Sequence, residues 1–393
     1  MLPTELSKAI DDTVERERAA LAKLSRDIHA NPELRFEEHK ASAWIAELLR
    51  SRGFEVEHGL AGMPTALRAK KGDASGPKVA ILGEYDALPE IGHACGHNLI
   101  AASAVGAFLA AAAVVGDTKG QVVFLGTPAE EGGGGKIKMI EGGVFEGIDA
   151  AMMFHPFDRD ILAHPALAST WIAMTFRGSP AHAAAAPHDG KSALQACMDT
   201  FRLIDGQRVR FRDGVRVHGF ITNGGQAVNI IPELASCEFS VRAPDTKELE
   251  RVRGIVERCA KAAALASEVE VELVVRQGYR DMRNNMTIAR RFGEHLAALG
   301  RPARETDARV GAGSTDMGDV SHVVPSIHPY LAIVDENVAL CHQHAFADAA
   351  ASDRGLATAL TAAKALARTA VELLVDDELR ASARAEWRAA AAG

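Results

Sequence analysis

The sequence lacks several features that mark particular classes of protein. Its five cysteines are scattered and odd in number, so we expect free thiols in a reducing compartment rather than a disulfide framework. Lys and Arg form no basic block, and the net charge is −8, so nucleic acid is not an expected partner. The N-terminus carries acidic residues without an apolar core. We therefore expect no secretory signal and a cytoplasmic location.

The sequence also has little that would place it in a membrane. Its longest apolar stretch, Leu99 to Val115, is alanine-rich and is short for a span of about 20 residues. We predict a buried helix there and no membrane partner. With 393 residues, of which 47% are hydrophobic and 24% charged, the chain is typical of a globular protein with two structural units.

The first part of the chain alternates short apolar strands with helices. Strands are predicted at 78–83, 121–126 and 149–154, and helices at 4–30, 37–51, 98–115 and 136–141. Near-continuous apolar strands between helices indicate a mostly parallel sheet, whose ligands lie beyond the carboxyl ends of the strands. Because YDAL, PAEE and HP follow the three strands, the sequence predicts one site at that edge.

A different pattern occupies the middle of the chain. The order becomes strand, helix, two strands, helix and strand, at 169–177, 190–205, 215–222, 233–242, 246–265 and 268–276. This βαββαβ order is that of a ferredoxin-like unit. An α/β pattern then resumes, with elements near 287–299, 327–334 and 346–375. We predict an α/β catalytic domain with a mixed, mostly parallel sheet over 1–168 and 278–393, interrupted by a ferredoxin-like α+β domain over 169–277.

The segment GEYDALPEIGHACGHN, residues 83–98, carries the densest set of candidate metal ligands. Asp86, His93, Cys95 and His97 fall within twelve positions. A single Cys or His is more often a core residue than a ligand. Here His-x-Cys-x-His stands beside two glycines, which allow a tight turn, and thiolate and imidazole suit zinc and its neighbours. The pattern therefore favours a metal site.

Two adjacent carboxylates, Glu130 and Glu131, follow the second strand. Neighbouring side chains at a strand end point in different directions, so one can bind metal while the other faces a water. A metal lowers the pKa of its water to about 7, and a carboxylate can then take the proton. Taken alone, such a pair is usually a solvated turn, and its position after a strand gives at best about even odds of a functional role. The glycines at 132–135 lack the form of a phosphate-binding loop.

Several isolated histidines complete the set of candidates. His155 follows the third strand, and His342 and His344 precede the last long helix. Spacing does not choose between the last two. His182 lies in a loop of the inserted unit that contains glycine and proline. It is more simply a histidine at a helix entry, and the alternative is a donor that stabilises the oxyanion of a tetrahedral intermediate.

Motifs spread over most of the chain point to a known family. They are RDIHANPELRFEEH (26–39), YDALP (85–89), HACGH (93–97), PAEEGGGG (128–135), FHP (154–156), GSPAHAA (178–184) and NGGQAVNIIPE (223–233). Together they resemble the two-metal metallopeptidases related to aminoacylase, in the amidohydrolase branch that includes aminoacylases, hippurate hydrolases and auxin-conjugate hydrolases. Segments 83–98 and 313–325 look most similar to the subgroup of aminobenzoyl-glutamate hydrolases and related dipeptidases.

The resemblance implies a centre of two divalent metal ions, zinc or manganese. The implied ligands are Cys95, His97, Glu131, His155 and His342. The family's last ligand precedes a Phe by four residues, which selects His342 over His344 because Phe346 follows. Glu130 would be the general base. Asp86 would not bind metal itself but would orient the residues that do.

The inserted domain would act as a lid and as a dimerisation domain. His182 and Asn229 match lid residues that contact substrate, often across a dimer interface, so a homodimer or higher homo-oligomer is expected. His182 would also stabilise the oxyanion. Two departures concern the metal segment, where Asn98 replaces an aspartate and Ile100 a histidine that many members carry. These departures reduce the charge around the metals.

The expected function is hydrolysis of an amide bond in a small molecule. The substrate would be an N-acyl amino acid, a dipeptide or an aminobenzoyl-glutamate-like conjugate, attacked by metal-activated water with Glu130 as the base. One alternative is a hydrolase of a non-peptide C–N bond on an aromatic amine. Another is a non-catalytic protein that binds metal or amino acids.

Overall fold

The computed structural model describes residues 2–116, 120–309 and 311–392. The chain divides into two compact units. The first consists of Met1–Pro165, Met282–Ala312 and Asp316–Gly393, and the second of Ala166–Asp281 and Gly313–Thr315. The second unit begins three residues before the boundary expected from the sequence (166 against 169) and ends four residues after it (281 against 277). Residues Gly313–Thr315 also belong to the second unit, whereas the sequence predicts them in the first.

The helices are numbered along the chain. They are α1 Thr4–Ala30, α2 His39–Ser51, α3 His97–Val115, α4 Gly135–Glu141, α5 Ala193–Gln207, α6 Thr246–Ala266, α7 Met286–Ala298, α8 Met317–Ser321, α9 His344–Ala350, α10 Asp353–Val375 and α11 Asp377–Ala392.

The strands are numbered in the same way. They are β1 Val56–His58, β2 Leu67–Gly72, β3 Lys78–Glu84, β4 Gln121–Thr127, β5 Ala150–Met152, β6 His155–Phe157, β7 Ala168–Arg177, β8 Arg216–Asn223, β9 Leu234–Ala243, β10 Glu270–Arg276, β11 Ser326–Ile327 and β12 Tyr330–Ala332.

The main sheet of the first unit has the order β1-β2-β4-β3-β5-β11. Strands β4, β3, β5 and β11 run parallel, and β1 and β2 are antiparallel additions. The mixed, mostly parallel α/β sheet predicted from the sequence is thus confirmed. Strands β3 and β4 pair from Lys78 opposite Gln121 to Glu84 opposite Thr127, so they end level with each other. The loops that follow them therefore leave the same edge side by side.

Helix α3 forms the centre of the first unit. It is long and apolar enough to cross a membrane, but 89% of its apolar window is buried inside the protein. It packs against α1 and α10. A Cβ atom at Gly106 would lie 2.8 Å from Leu21 Cδ1, so the glycine is what lets α1 approach this closely. The predicted buried helix is confirmed.

The second unit is built on an antiparallel sheet of order β10-β7-β9-β8. Its elements follow one another as β7, α5, β8, β9, α6 and β10, which is the predicted βαββαβ order. Helices α5 and α6 bury their apolar faces with the sheet in one hydrophobic cluster. Each is capped by a side chain at its start, Ser192 for α5 and Asp245 for α6. Within the described part of the chain, strand β8 pairs with β9 alone and forms an edge of the sheet.

Some predicted elements are divided in the structure. The strand expected at 149–154 ends at Met152, and the one expected at 327–334 is the pair of short strands β11 and β12. The long helix expected at 346–375 is broken into α9 and α10. Ser352 Oγ accepts a hydrogen bond from Gly355 N at 3.0 Å, and this cap starts a new helix. Helix α11 and strands β1 and β2 were missed.

Candidate metal centre

The candidate residues of the first unit come together where the parallel strands end. Asp86 follows β3, the Glu130–Glu131 pair follows β4, and His155 follows β5. Cys95 lies in the loop that runs from β3 to α3. This is the edge at which the strand pattern predicts a site.

Asp86 connects two of the candidate ligands. Its Oδ1 atom lies 3.1 Å from His97 Nδ1, which is also 2.8 Å from the Asp86 carbonyl oxygen. Its Oδ2 atom accepts a hydrogen bond from Glu131 N at 2.9 Å. Burial alone would raise the pKa of Asp86, but the His97 imidazole and these hydrogen bonds outweigh it and lower the pKa. Asp86 therefore fixes the orientation of the His97 ring, with Nδ1 facing Asp86 and Nε2 pointing away from Asp86.

Negative charge is concentrated around His97 Nε2. Glu84 Oε2 lies 3.4 Å from this nitrogen. Burial would lower the pKa of His97, but the carboxylates of Asp86 and Glu84, helped by a third, raise it well above its usual value. Among the described residues, His97 Nε2, Glu84 Oε2 and Glu131 Oε1 are all buried without a hydrogen-bond partner. Buried polar atoms left in this way call for a further partner.

The two adjacent glutamates differ in their surroundings. Burial, and then the charge of Glu131 and of two other carboxylates, raises the pKa of Glu130 well above its usual range. For Glu131, burial is outweighed by contact with His342 and His97, which lowers the pKa. The pair thus divides into a carboxyl group that holds a proton readily and one that stays ionised, which are the properties of a base and of a metal ligand.

The backbone before this pair is held in an unusual conformation. Ala129 has a φ of 60°, in the left-handed region that residues with a side chain seldom adopt. The buried Glu38 Oε1 accepts hydrogen bonds from Ala129 N at 2.9 Å and from Phe36 N at 2.8 Å, and Phe36 has a φ of 67°. Thr65 Oγ1 donates to the other carboxyl oxygen at 2.9 Å. Glu38 thereby fixes the turn that presents Glu130.

His155 is oriented by its own neighbour. Its Nδ1 lies 2.7 Å from the Pro156 carbonyl oxygen, so Nε2 is left for other contacts. The ring stacks on Tyr330 with centroids 5.2 Å apart and meets the His328 ring at 5.4 Å. Burial lowers the pKa of His155 to about 4, so the imidazole is neutral and able to bind a metal at physiological pH.

Cys95 belongs to two groups of potential ligands. In one, the ligand atoms of Cys95, His97 and Glu131 all lie within 4.8 Å of one another. In the other, those of Cys95, His155 and Cys341 do so. His342 Nε2 lies 3.6 Å from Glu131 Oε1. The side chains of His342 and of His344, the first residue of α9, are both exposed.

A fully buried ion-pair network lies behind the centre. Lys136 Nζ pairs with Glu84 Oε1 and, at 2.6 Å, with Asp316 Oδ1. Asp316 Oδ2 also accepts from Lys136 N at 3.0 Å. Burial opposes the charge on Lys136, but Asp316 and Glu84 outweigh it and raise the lysine pKa. Lys136 is thus a fixed cation that compensates part of the carboxylate charge at this edge.

The donor set fits divalent metal ions. It combines thiol sulfur, imidazole nitrogen and carboxylate oxygen, with three potential ligands in each group, as in catalytic zinc sites. The buried atoms without partners at His97, Glu84 and Glu131 are what a cation between them would satisfy.

The candidate residues of the second unit are exposed. His182 Nδ1 accepts hydrogen bonds from Ala184 N and Ala185 N, both at 3.2 Å. Ala183 N donates to the Asn229 carbonyl oxygen at 3.0 Å, and His182 forms a β-bridge with Ile230. The fold of this unit therefore brings His182 and Asn229 to neighbouring positions with both side chains in solvent.

Comparison with known proteins gives the family. The model of the peptidase family M20/M25/M40 matches residues 80–372 of the chain. The chain belongs to this family. The Xaa-Arg dipeptidase of Mus musculus is 38% identical to this chain over an alignment of 409 positions, gaps included. The alignment covers 99% of this chain and 92% of that protein. A p-aminobenzoyl-glutamate hydrolase chain of Escherichia coli is 33% identical, and the match covers 76% of this chain and 66% of that one.

A solved structure of the family has the same fold. The dinuclear metal binding peptidase of Bacillus subtilis superposes on this chain with a TM-score of 0.70 at 22% sequence identity. The superposition covers 92% of this chain and 99% of the Bacillus subtilis chain. As a member of the M20/M25/M40 family with these relatives, the chain is an enzyme, a metal-dependent hydrolase of amide bonds. The predicted family and reaction class are confirmed, and the two alternative functions are not supported.

The two departures noted in the metal segment have structural explanations. Asn98 is fully buried, and its Nδ2 donates to Ser25 Oγ and to the Ala350 carbonyl oxygen, both at 2.9 Å. An aspartate could not donate to these two acceptors. Ile100 is a core residue of α3. In this member of the M20/M25/M40 family, both positions hold helices together.

Several residues of the site were missed by the sequence analysis. They are Glu38, Glu84, Lys136, Asp316, His328 and Cys341. Glu84 could have been found, since it stands two positions before Asp86 at the end of the same strand and so faces the same side. Cys341 directly precedes a candidate ligand. The sequence carries no local signal for Lys136 or Glu38, because their partners are distant along the chain.

Proposed function

We propose that this enzyme is a dipeptidase-type amidohydrolase with a centre of two divalent metal ions. The ions would be held by Cys95, His97, Glu131, His155 and His342. The observation that supports the proposal is the convergence of thiol, imidazole and carboxylate groups at one sheet edge beside Glu130, which holds a proton readily.

The reaction follows from the roles of the side chains. Bound divalent ions would lower the pKa of water and polarise the amide carbonyl. Glu130 takes the proton of the attacking water and passes it to the leaving nitrogen. Asp86 keeps the His97 ring in place through Nδ1. His182 stabilises the oxyanion, and Asn229 contacts substrate. The products are a carboxylic acid and an amine.

The ions are proposed to be zinc or manganese. The Cys95 thiol favours zinc, and the carboxylate oxygen of Glu131 also accepts manganese. The two groups of ligands that share Cys95 support two neighbouring ion positions.

A dipeptide is the proposed substrate, because a relative named Xaa-Arg dipeptidase aligns with 99% of the chain. The second candidate is aminobenzoyl-glutamate, after the relative that aligns with 76%. The two differ in the charge of the released amino acid, which is a cation in one case and an anion in the other. Competition between them is therefore a sharp test of specificity.

The test is a hydrolysis assay with zinc, manganese or cobalt added to the protein. The panel contains dipeptides ending in Arg, Lys, Ala or Glu, N-acyl amino acids and aminobenzoyl-glutamate. We expect the highest kcat/KM for a dipeptide with a basic C-terminal residue. Glu141→Gln, an exposed glutamate of α4, is the control and should match the wild type. No hydrolysis of any amide with any metal would contradict the proposal.

The second unit is proposed to act as the lid and to form a homodimer through the outer edge of its sheet. The edge strand β8 exposes Phe220 and Ile221, and Val228 and Ile230, which follow it in the sequence, are also exposed. Exposed apolar groups of this kind mark interaction surfaces. Sedimentation that finds a fully active monomer would contradict the proposal.

The cytoplasm is the proposed location, in keeping with five free thiols, and cell fractionation tests it.

A further inference from the structure

A second thiol lies beside the candidate metal centre. Cys341 is half-buried, and its sulfur, the sulfur of Cys95 and a ring nitrogen of His155 all lie within 4.8 Å of one another. This arrangement brings together residues that are almost 250 positions apart along the chain (341 against 95).

The backbone fixes Cys341 against Cys95. His342 N donates to the carbonyl oxygen of Ala94 at 3.0 Å, which ties the segment of Cys341 to the residue before Cys95. His342 itself has a φ of 68°, a left-handed conformation that persists only where the surroundings impose it. This turn lets two consecutive side chains serve different groups: His342 approaches Glu131, and Cys341 approaches Cys95 and His155.

The two groups around Cys95 differ in chemical character. The group with His97 and Glu131 contains one sulfur, one nitrogen and one oxygen atom. The group with His155 and Cys341 contains two sulfur atoms and one nitrogen. Soft thiolate ligands favour zinc and similar ions, and oxygen ligands favour manganese and magnesium. The two ion positions are therefore unequal.

We propose that Cys341 is a sixth protein ligand of the metal centre, which forms with Cys95 and His155 a sulfur-rich position selective for zinc over manganese. The inference rests on the proposed function, because it adds a ligand to the same centre. Cys341 is not among the five ligands that the motifs of the sequence imply.

Cobalt binding tests the inference without reference to activity. The full-length protein is freed of metal under reducing conditions and titrated with Co²⁺, and the near-ultraviolet charge-transfer band from thiolate to cobalt is recorded. Cys341→Ser should show about half the wild-type intensity per protein, since one of two coordinating thiolates is lost. Cys341→Ala provides the same test if the serine variant folds poorly. Cys259→Ser, in the core of the second unit, should keep the full band.

Metal competition provides a second measurement. Replacement of Cys341 should reduce the preference for zinc over manganese by about tenfold or more, because even the hydrogen-bonding partners of ligands contribute that much to affinity. An unchanged band and an unchanged preference, at the same cobalt content, would overturn the inference.

The outcomes separate this inference from the proposed function. If the variants keep the full band while the wild type hydrolyses dipeptides, the function stands and Cys341 is not a ligand. If the band halves but no amide is hydrolysed, Cys341 is a ligand and the proposed activity is wrong. If the wild type binds no cobalt, both proposals fail.

Discussion

The two units differ in how they hold most of their candidate functional residues. In the first unit, Asp86 and His97 are almost fully buried and joined to their neighbours by hydrogen bonds. In the second, the side chains of His182 and Asn229 are exposed. In the first unit, the cost of burying charge is offset by fixed partners such as Lys136. The first unit thus holds its buried candidates in a fixed arrangement, whereas the two candidates of the second unit are free to change their side-chain conformation.

The largest effect is expected at the proposed base. Glu130→Gln should lower kcat by about 10²–10⁴-fold, because the amide cannot accept a proton from the attacking water. Metal content, measured by mass spectrometry of the digested protein, should remain that of the wild type. Near-normal turnover with full metal would show that the first unit performs the chemistry through another group.

The buried cation Lys136 should matter strongly for stability. Lys136→Met leaves Glu84 and Asp316 buried without their partner, so the free energy of unfolding should fall by about 3–5 kcal/mol. Urea unfolding followed by circular dichroism measures it. Lys138→Met on the same helix is the control and should cost below about 1 kcal/mol, the contribution of an exposed cation–π contact with Phe36. Equal losses in the two variants would contradict the assignment.

Replacement of His182, unlike that of Lys136, should affect activity more than stability. His182→Ala should lower kcat by about 10²–10³-fold, the usual contribution of one oxyanion donor. Because the side chain is exposed and accepts two local backbone hydrogen bonds, the free energy of unfolding in urea should fall by no more than about 1 kcal/mol. His188→Ala, another exposed histidine of the second unit, is the control and should retain full activity. If His182→Ala keeps wild-type kcat, the second unit takes no part in the chemical step.

The two histidines before and within α9 should differ in metal affinity. His342→Ala should weaken binding of one metal ion by about 10–100-fold or more, since His342 is the one beside Glu131. His344→Ala should bind metal like the wild type. Isothermal titration calorimetry with zinc measures both. The ligand assignment is wrong if His344→Ala alone loses affinity.

A separate effect concerns the pH dependence of stability. Burial, and then the charge of Asp86, raises the pKa of Glu38 to about 7 from 4.5. The folded chain thus binds this proton more tightly than the unfolded chain. The resulting stabilisation is complete below about pH 4.5 and is lost as the pH rises through about 7. It amounts to roughly 3 kcal/mol.

Glu38→Gln should remove this dependence while keeping an acceptor for Ala129 N and Phe36 N. The stability of the wild type relative to the variant should therefore decrease between about pH 4.5 and 7 in urea titrations. A constant difference over that range would mean that Glu38 is ionised in the folded protein. Glu37→Gln, at an exposed neighbouring position, is the control.

The sequence was most informative where a residue's role depends on local order. The strand pattern and the positions of Asp86, Glu130 and His155 after strand ends predicted the sheet edge, because carboxyl ends of parallel strands meet by geometry. It was least informative where roles depend on contacts between distant segments. Glu38 acts on Ala129, 91 residues away, and Lys136 on Asp316, 180 residues away.

The ligands themselves illustrate the same limit. Spacing could not choose between His342 and His344, and Cys341 drew no attention as a single cysteine. In the structure, the backbone at His342 is left-handed, and His342 N donates a hydrogen bond to the Ala94 carbonyl oxygen. These two features fix the segment of Cys341 and His342 against the loop of Cys95. Neither the turn nor the partner can be recognised from the residues of that segment alone.

The central claim is that ligands from separate strand ends hold two metal ions beside Glu130. The most direct test is a crystal structure of the zinc-loaded protein with anomalous data collected at the zinc absorption edge. We expect two anomalous peaks, one beside Cys95, His97 and Glu131 and the other beside Cys95 and His155. Peaks elsewhere in the protein, with Cys95 and His155 far from any metal, would contradict the account.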